Sequence, residues 1–145
     1  MGEKRVVAVI VEGPSDESAI GSILKEFFSS EEVQFAVVRG DITSDRFTTS
    51  DNIVKRIEDL LEDIKTKYGY RWDDFIKVIH IVDTDGAFTK DCVMSADVER
   101  IQYYEDHIEG KNVEAINRRN KHKSEILFKL LYNRQSSRYK ISIVL

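Results

Sequence analysis

Short apolar runs alternate with amphipathic stretches along the chain. Residues 6–11, 33–38 and 75–82 are largely apolar runs rich in β-branched side chains, which predict strands. The run at 6–11 is continuous, as expected for a strand covered on both faces of a sheet. A further run at 139–145 predicts a final strand. The pattern therefore predicts a sheet of about four strands.

The stretches between these runs have the hydrophobic spacing of helices. A helix is expected after Pro14, capped by Ser15 or Asp16, and a second helix is expected to end near Gly69. A third is expected from about residue 124 to 132. The apolar stripes of the first two helices consist of Ile20, Ile23, Leu24, Phe27 and Phe28, and of Ile53, Ile57, Leu60, Leu61 and Ile64.

Strands and helices in this order are typical of an α/β domain with a mostly parallel sheet flanked by helices and right-handed crossovers. With 145 residues, of which 41% are hydrophobic, the chain can bury the core of one domain, so residues 1–145 are interpreted as a single domain. Residues from about 87 to 122 interrupt the alternation with an irregular, strongly charged excursion.

Composition excludes several classes of protein. No apolar stretch reaches the roughly 20 residues of a membrane span. The charged first residues lead into a strand and not into a signal peptide, so a cytoplasmic location without membrane contact is expected. The single cysteine, Cys92, excludes an internal disulfide and a CxxC metal pair. A net charge of −4 neither indicates nor excludes a nucleic-acid partner.

Carboxylates follow two of the predicted strands. Glu12 follows the first strand, and Asp83 and Asp85 follow the third, so all three are expected at the carboxyl edge of the sheet, where α/β proteins bind ligands. Strand alternation would point Asp83 and Asp85 to the same side, and Gly86 would let the chain turn. Crowded carboxylates are most simply neutralised by a hard divalent cation, so Mg²⁺ or Mn²⁺ is expected.

Each motif alone has a simpler interpretation. An acid at a strand end is commonly a solvated turn residue or a helix cap, and Asp16 alone is typical of a first helical turn that faces the helix dipole. An EF-hand calcium loop starting at Asp83 is excluded because its twelfth position, where a glutamate is needed, is Met94. The occurrence of both motifs at strand ends is what favours a shared site.

Together the two motifs resemble a known family. The segments VIVEGPSD (9–16) and IVDTDG (81–86) are similar to the motifs of Toprim domains, and the form EGPSD is closest to nucleases of the overcoming-lysogenization-defect type. The resemblance implies a Toprim-like, Rossmann-like fold in which Glu12 is the catalytic glutamate and Asp83 and Asp85 are, with Glu12, the metal-binding and catalytic acids. It also implies that Asp16 lies near the metals as a further catalytic acid.

A basic run precedes the predicted third helix. Arg118, Arg119, Lys121 and Lys123 are expected to contact nucleic-acid phosphates, although a solvated helix start would have the same composition. His80, in the strand before the aspartates, is expected to be a core histidine with satisfied hydrogen bonds.

Three functions are consistent with these features. The first is a small Mg²⁺- or Mn²⁺-dependent Toprim nuclease, or a related nucleotidyl or phosphodiester transferase, acting on DNA or RNA. The second is a nucleic-acid-binding or regulatory module that acts with a partner protein or as a homodimer. The third is an α/β protein that binds a small phosphorylated ligand with Mg²⁺, although neither glycine-rich phosphate-loop motif is present. The nuclease is the leading hypothesis.

Overall fold

The computed structural model describes residues 4–37 and 41–132. Within these residues it contains a parallel sheet, a smaller mixed sheet and three α-helices. The first part of the chain forms β1 (Val6–Val11), α1 (Pro14–Phe27), β2 (Glu32–Val37), α2 (Ile53–Tyr68) and β3 (Phe75–His80). The second part forms β4 (Asp91–Met94), β5 (Gln102–Tyr103), β6 (His107–Gly110) and α3 (Val113–Tyr132).

The parallel strands are arranged in the order β2-β1-β3. The chain crosses from β1 to β2 through α1 and returns past β1 to β3 through α2, so β1 and β3 border the point at which the strand order reverses. This arrangement confirms an α/β architecture with a three-stranded parallel sheet flanked by helices. The fourth strand predicted at 139–145 lies outside the described residues.

Helices cover both faces of this sheet. α1 packs on one face, against the odd-numbered residues of β1, and α2 and α3 pack on the other face, against the even-numbered residues. All six residues of β1 are fully buried. The continuous apolar run at 6–11 therefore marks the central strand, which needs apolar side chains on both faces.

The predicted end of α2 is confirmed. Gly69 has a φ of 66°, a left-handed conformation that costs glycine nothing, and its N–H donates to the carbonyl of Lys65. The apolar stripe of this helix is the face that it buries.

The stripe of α1 is narrower than predicted. Ile20, Leu24 and Phe28 pack against the sheet, whereas Ile23 and Phe27 are 64% and 77% exposed. The apolar residues of α1 are therefore divided between the sheet and the surface, and spacing alone did not distinguish them.

The prediction that residues 87–122 form an irregular excursion is wrong. These residues contain β4, β6 and β5 in that spatial order, with β4 parallel and β5 antiparallel to β6, and α3 begins at Val113 and not near 124. Strands of two to four residues are too short to show a hydrophobic period. The start of α3 was hidden because its first turns are mainly polar, although Asn112 caps it by accepting the N–H of Ala115.

The helices also bear on membrane association. Among residues 4–37 and 41–132, no helix combines the length and the apolar character that crossing a bilayer requires.

Candidate functional site

The predicted acids lie at the carboxyl edge of the parallel sheet. Glu12 follows β1 directly, and Asp83 and Asp85 lie in the loop after β3, so they border the point where the strand order reverses. Open α/β sheets bind ligands at this position because diverging loops leave a crevice there. Asp41, in the loop after β2, contacts the same group. Glu12, Asp41, Asp83 and Asp85 are referred to below as the acid cluster.

The loop after β3 is not a continuation of the strand. β3 ends at His80 and not at residue 82, so the alternation expected to point Asp83 and Asp85 to the same side does not apply. Asp85 instead has a φ of 45°, and its N–H donates to Oδ1 of Asp83 at 3.2 Å. Gly86 has a φ of 72°, and a Cβ there would lie 2.5 Å from Cδ1 of Ile108 in β6. The loop therefore turns sharply and packs on the small sheet.

Lys123 of α3 joins two members of the acid cluster. Its ammonium forms ion pairs with Oδ2 of Asp41 and, at 3.1 Å, with Oδ2 of Asp85, and its side chain is 1% exposed. Burial acts to lower the pKa of Lys123, but its hydrogen bonds to Asp41 and Asp85 outweigh burial and raise the pKa. Lys123 therefore differs from the expected surface phosphate contact, since it is a charged group buried among the acids.

Asp41 is held by several hydrogen bonds. Its Oδ1 accepts from the N–H of Thr43 at 2.8 Å and from the Thr43 hydroxyl, and its Oδ2 accepts from Ser44 and Lys123. Burial acts to raise the pKa of Asp41, but the hydrogen bonds from Lys123, Ser44 and Thr43 hold that pKa well below its ordinary value. Asp41 is therefore ionised throughout the neutral range.

Glu12 differs from Asp41 in that the site raises its pKa and does not lower it. Its burial, and then its hydrogen bond to the negatively charged Asp41, raise the pKa of Glu12 to about 7. The charge of Lys123 and a hydrogen bond from the backbone of Asp83 act in the other direction. At neutral pH, Glu12 is therefore divided between its protonated and its ionised form.

Asp16 lies beside the acid cluster and also caps α1. Glu12, Asp16 and Asp83 line one cavity of about 300 Å³. Oδ2 of Asp16 accepts the N–H of Gly13 at 3.0 Å, which is the side-chain contact of a capping box at the start of the helix. The structure therefore supports the helix-cap interpretation of Asp16 and places the same carboxylate next to Glu12 and Asp83.

Buried polar groups adjoin the acid cluster on the α2/α3 side of the sheet. His80 is fully buried and pairs with Ile10, whose side chain lies on that side. Within the described part of the chain, neither ring nitrogen of His80 has a hydrogen-bond partner, and Nδ2 of Asn120 has none either. Burial lowers the pKa of His80 to about 4, although the charge of Asp41 acts to raise it. His80 is buried as predicted, but the described residues do not satisfy its hydrogen bonds.

The residues of the basic run differ in exposure and in contacts according to their position on α3. Arg118 and Lys121, three residues apart, are exposed. Arg119 instead donates from Nη2 to the backbone carbonyl of Asp85 at 3.1 Å and to the hydroxyl of Tyr103 at 3.0 Å. Arg119 thereby connects α3 to the loop after β3 and to β5, whereas Arg118 and Lys121 lie at the surface.

The donor chemistry of the acid cluster fits a hard divalent cation, because its members supply carboxylate oxygens. Its arrangement does not fit one: in residues 4–37 and 41–132, no three acidic, histidine or cysteine side chains are placed to hold a common ion. The ammonium of Lys123 lies between Asp41 and Asp85. The chain itself therefore supplies the positive charge that these two acids require.

Sequence reasoning did not single out Asp41. Every parallel strand delivers the residues after its carboxyl end to the same edge of the sheet, and that rule could have identified Asp41. Lys123 was noticed for its charge but not as a partner of the acids, because it lies 82 residues from Asp41 and 38 from Asp85 along the chain.

No family model, curated protein or solved structure matches this chain. The site is therefore interpreted from the chemistry and geometry of its own residues.

Proposed function

We propose that this protein is a Toprim-like enzyme that carries out metal-assisted phosphoryl transfer on nucleic acid, most simply phosphodiester cleavage. The observation that carries the proposal is the convergence of acids that follow β1, β2 and β3 with Arg119 and Lys123 of α3 at one edge of the sheet. Phosphoryl transfer needs this combination, because acids move protons and bind cations while positive charge compensates the phosphate.

Glu12 is the proposed proton-transfer group. Hydrolysis of a phosphodiester removes a proton from the attacking water and returns a proton to the leaving oxygen. A group with a pKa near 7 exists in both protonation states at neutral pH and can serve either step. Burial raises the pKa of Glu12 to about 7, and its side chain lines the cavity that it shares with Asp83.

The exposed face around α3 and β5 supports a nucleic acid as the substrate. Arg118 and Lys121 are exposed on α3, where they can neutralise the phosphates of a bound strand. Tyr104, directly after β5, is 46% exposed and stacks on His107 with ring centroids 4.5 Å apart. Such a ring can stack on an unpaired base.

A bound Mg²⁺ or Mn²⁺ would neutralise the phosphate and act as a Lewis acid. Asp83 and Asp85 would supply its oxygen ligands, and Glu12 would remain available for proton transfer. The other parts of the proposal concern the chain's own side chains: proton transfer by Glu12 and phosphate contact by Arg118 and Lys121.

A nucleic-acid-binding module is the second candidate, and one observation favours it. Lys123 already neutralises Asp41 and Asp85, and the described residues contain no group of three side chains placed to hold a metal ion. A binding module would use Arg118 and Lys121 for phosphate contact and would show no turnover.

The decisive experiment incubates the purified protein with single- and double-stranded DNA and RNA in the presence of Mg²⁺ or Mn²⁺. Glu12→Gln is nearly isosteric but cannot transfer the proton, so cleavage is expected to slow by about a hundred-fold or more while binding is retained. The matched control is Glu26→Gln, which makes the same change at an exposed position of α1 and should leave the rate unchanged.

Strands left intact by the wild-type protein with either metal would contradict the enzymatic function. Binding that persists under those conditions would favour the second candidate. Changing Arg118 and Lys121 to Ala should then reduce the slope of log K against log salt by about 0.9 for each phosphate that the protein no longer neutralises. The same change at the exposed residues Lys25 and Lys55, on the other two helices, should leave the slope unaltered.

A further inference from the structure

A cavity of about 340 Å³ lies between residues 98–101 and the first turns of α3. Its surface is mainly apolar and includes Val98, Ile101, Ala115 and Ile116. Val98 and Ile116 are buried, whereas Ile101 and Ala115 are exposed, so the cavity has an apolar floor and an open mouth. Its volume is within the range of small-ligand sites, and its apolar surface suits a flat ring.

Positive side chains surround this apolar surface. Arg100, Lys111 and Arg119 line the cavity together with one acid, Glu99. The whole chain has a net charge of −4, so the excess of positive charge here is a local feature. An apolar floor with cations around it is complementary to a ligand that joins an apolar ring to a negative group, as a nucleotide does.

The cavity lies beside the proposed active site. Arg119, which lines it, donates from Nη2 to the backbone carbonyl of Asp85 at 3.1 Å. Arg118 is three residues after Ala115 on α3, so the two side chains are neighbours on the helix surface and Arg118 lies next to the mouth. A strand whose phosphates contact Arg118 therefore has a base within reach of the cavity.

We propose that the cavity binds an unpaired base of a nucleic-acid strand whose phosphates contact Lys111 and Arg118. The inference rests on the proposed function, and it narrows the substrate to a strand with unpaired bases, since extruding a paired base costs unpairing and unstacking. The carboxylate of Glu99 disfavours a phosphate inside the cavity and can accept an exocyclic amino group of a base. The planar guanidinium of Arg119 can stack on the ring.

Binding of single-stranded DNA to the wild-type protein, measured by fluorescence anisotropy, tests the inference. EDTA is present throughout to prevent metal-dependent cleavage. The comparison is with an abasic strand of equal length, which has the same phosphates but no bases. The wild-type protein should bind the abasic strand about ten-fold or more weakly, because it loses the contact with the base.

Ala115→Leu tests whether the cavity is the place where the base binds. Ala115 is exposed and lines the cavity, so a larger side chain there can obstruct the cavity without entering the core or changing the charge. The variant should lose most of the preference for the normal strand over the abasic strand. Ala19→Leu makes the same change at an exposed position of α1 and should keep the preference.

A second measurement locates the base in the wild-type protein and does not depend on how the variant folds. A strand that contains thiothymidine is bound and irradiated, and the cross-linked residues are identified by mass spectrometry. Cross-links are expected in residues 98–101 and 111–119, which line the cavity.

The outcomes separate this inference from the proposed function. Equal binding of the normal and abasic strands would overturn the base site and leave phosphate contact and cleavage in place. A preference that a folded Ala115→Leu retains, or cross-links confined to other parts of the chain, would also overturn the cavity as the base site. Failure to bind either strand would overturn the nucleic-acid function together with the inference. Loss of the preference in Ala115→Leu alone, with cross-links at the cavity, would support the inference.

Discussion

The two faces of the parallel sheet differ in what they bury. On the α1 side, β1 and β3 contribute Val7, Val9, Val11 and Ile79 to an apolar cluster. The core on the α2/α3 side is also apolar, but near the carboxyl edge of the sheet this side buries polar side chains, among them His80. Burying an unpaired imidazole costs stability that an apolar side chain would not cost. Such departures from the needs of the fold are expected at functional sites, which is why the α2/α3 side is the informative one.

The largest loss of stability should come from a substitution in the apolar core of the α2/α3 side. Leu61 is 1% exposed in the core between α2 and the sheet, so Leu61→Ala is expected to lower the free energy of unfolding by about 2–5 kcal/mol. Ile23→Ala, at a position of α1 that is 64% exposed, should change that free energy by less than about 0.5 kcal/mol. Urea unfolding followed by circular dichroism measures both, and similar losses would contradict the assigned core.

A smaller effect should appear at the carboxyl edge of the sheet, where the free energy of unfolding should depend on pH through Glu12. The pKa of Glu12 rises from 4.5 to about 7 on folding, so its contribution to stability is complete below pH 4.5 and is lost as the pH rises to about 7. Glutamine does not ionise. After allowance for solvent screening, the stability of Glu12→Gln relative to wild type should therefore increase by about 1–2 kcal/mol between pH 5 and pH 8.

Urea unfolding of both proteins at the two pH values measures this increase. Titration of His80 affects wild type and variant alike and cancels in the difference between them. A difference that does not change with pH would show that the pKa of Glu12 is not raised by folding.

The smallest effect should come from removing the unpaired imidazole itself. Burial lowers the pKa of His80 from 6.5 to about 4, so the unfolded chain binds more protons in that interval and stability falls as the pH drops through it. His80→Leu should remove this fall and gain about 1 kcal/mol at pH 7, because no polar group is left unsatisfied. Unfolding at pH 7 and pH 4.5 provides the measurement.

His107→Leu is the matched control for the imidazole. A hydrogen bond to Asp106 raises the pKa of His107, so this residue adds stability as the pH falls, and its removal should steepen the loss of stability in acid. If His80→Leu destabilised the protein at pH 7 as much as Leu61→Ala, His80 would have to be a satisfied structural residue, and the contrast between the two faces would disappear.

The sequence predicted those parts of the fold that are long and periodic. β1 is a continuous apolar run that the sheet buries on both faces, and α2 has a full stripe that ends at a left-handed glycine. β4, β5 and β6 could not be predicted, since strands of two to four residues derive their stability from neighbours that are distant in sequence.

The candidate site could be predicted only as a location. Strand order was enough to place Glu12, Asp83 and Asp85 at one edge of the sheet. The contact between Lys123 and Asp85 was not predictable, because it depends on how α3 packs across the sheet. The raised pKa of Glu12 was not predictable either, since it depends on burial and on Asp41.

The continuity of α3 has a consequence for insertions and deletions. Arg119, Lys123 and Ile126 lie on one unbroken helix, and each residue added to a helix rotates the following part by about 100°. With Ile126 fixed in the core, one extra residue between positions 123 and 126 would turn the ammonium away from Asp41 and Asp85 without breaking the helix. Among relatives that keep this site, we therefore expect substitutions in this stretch but no change in its length.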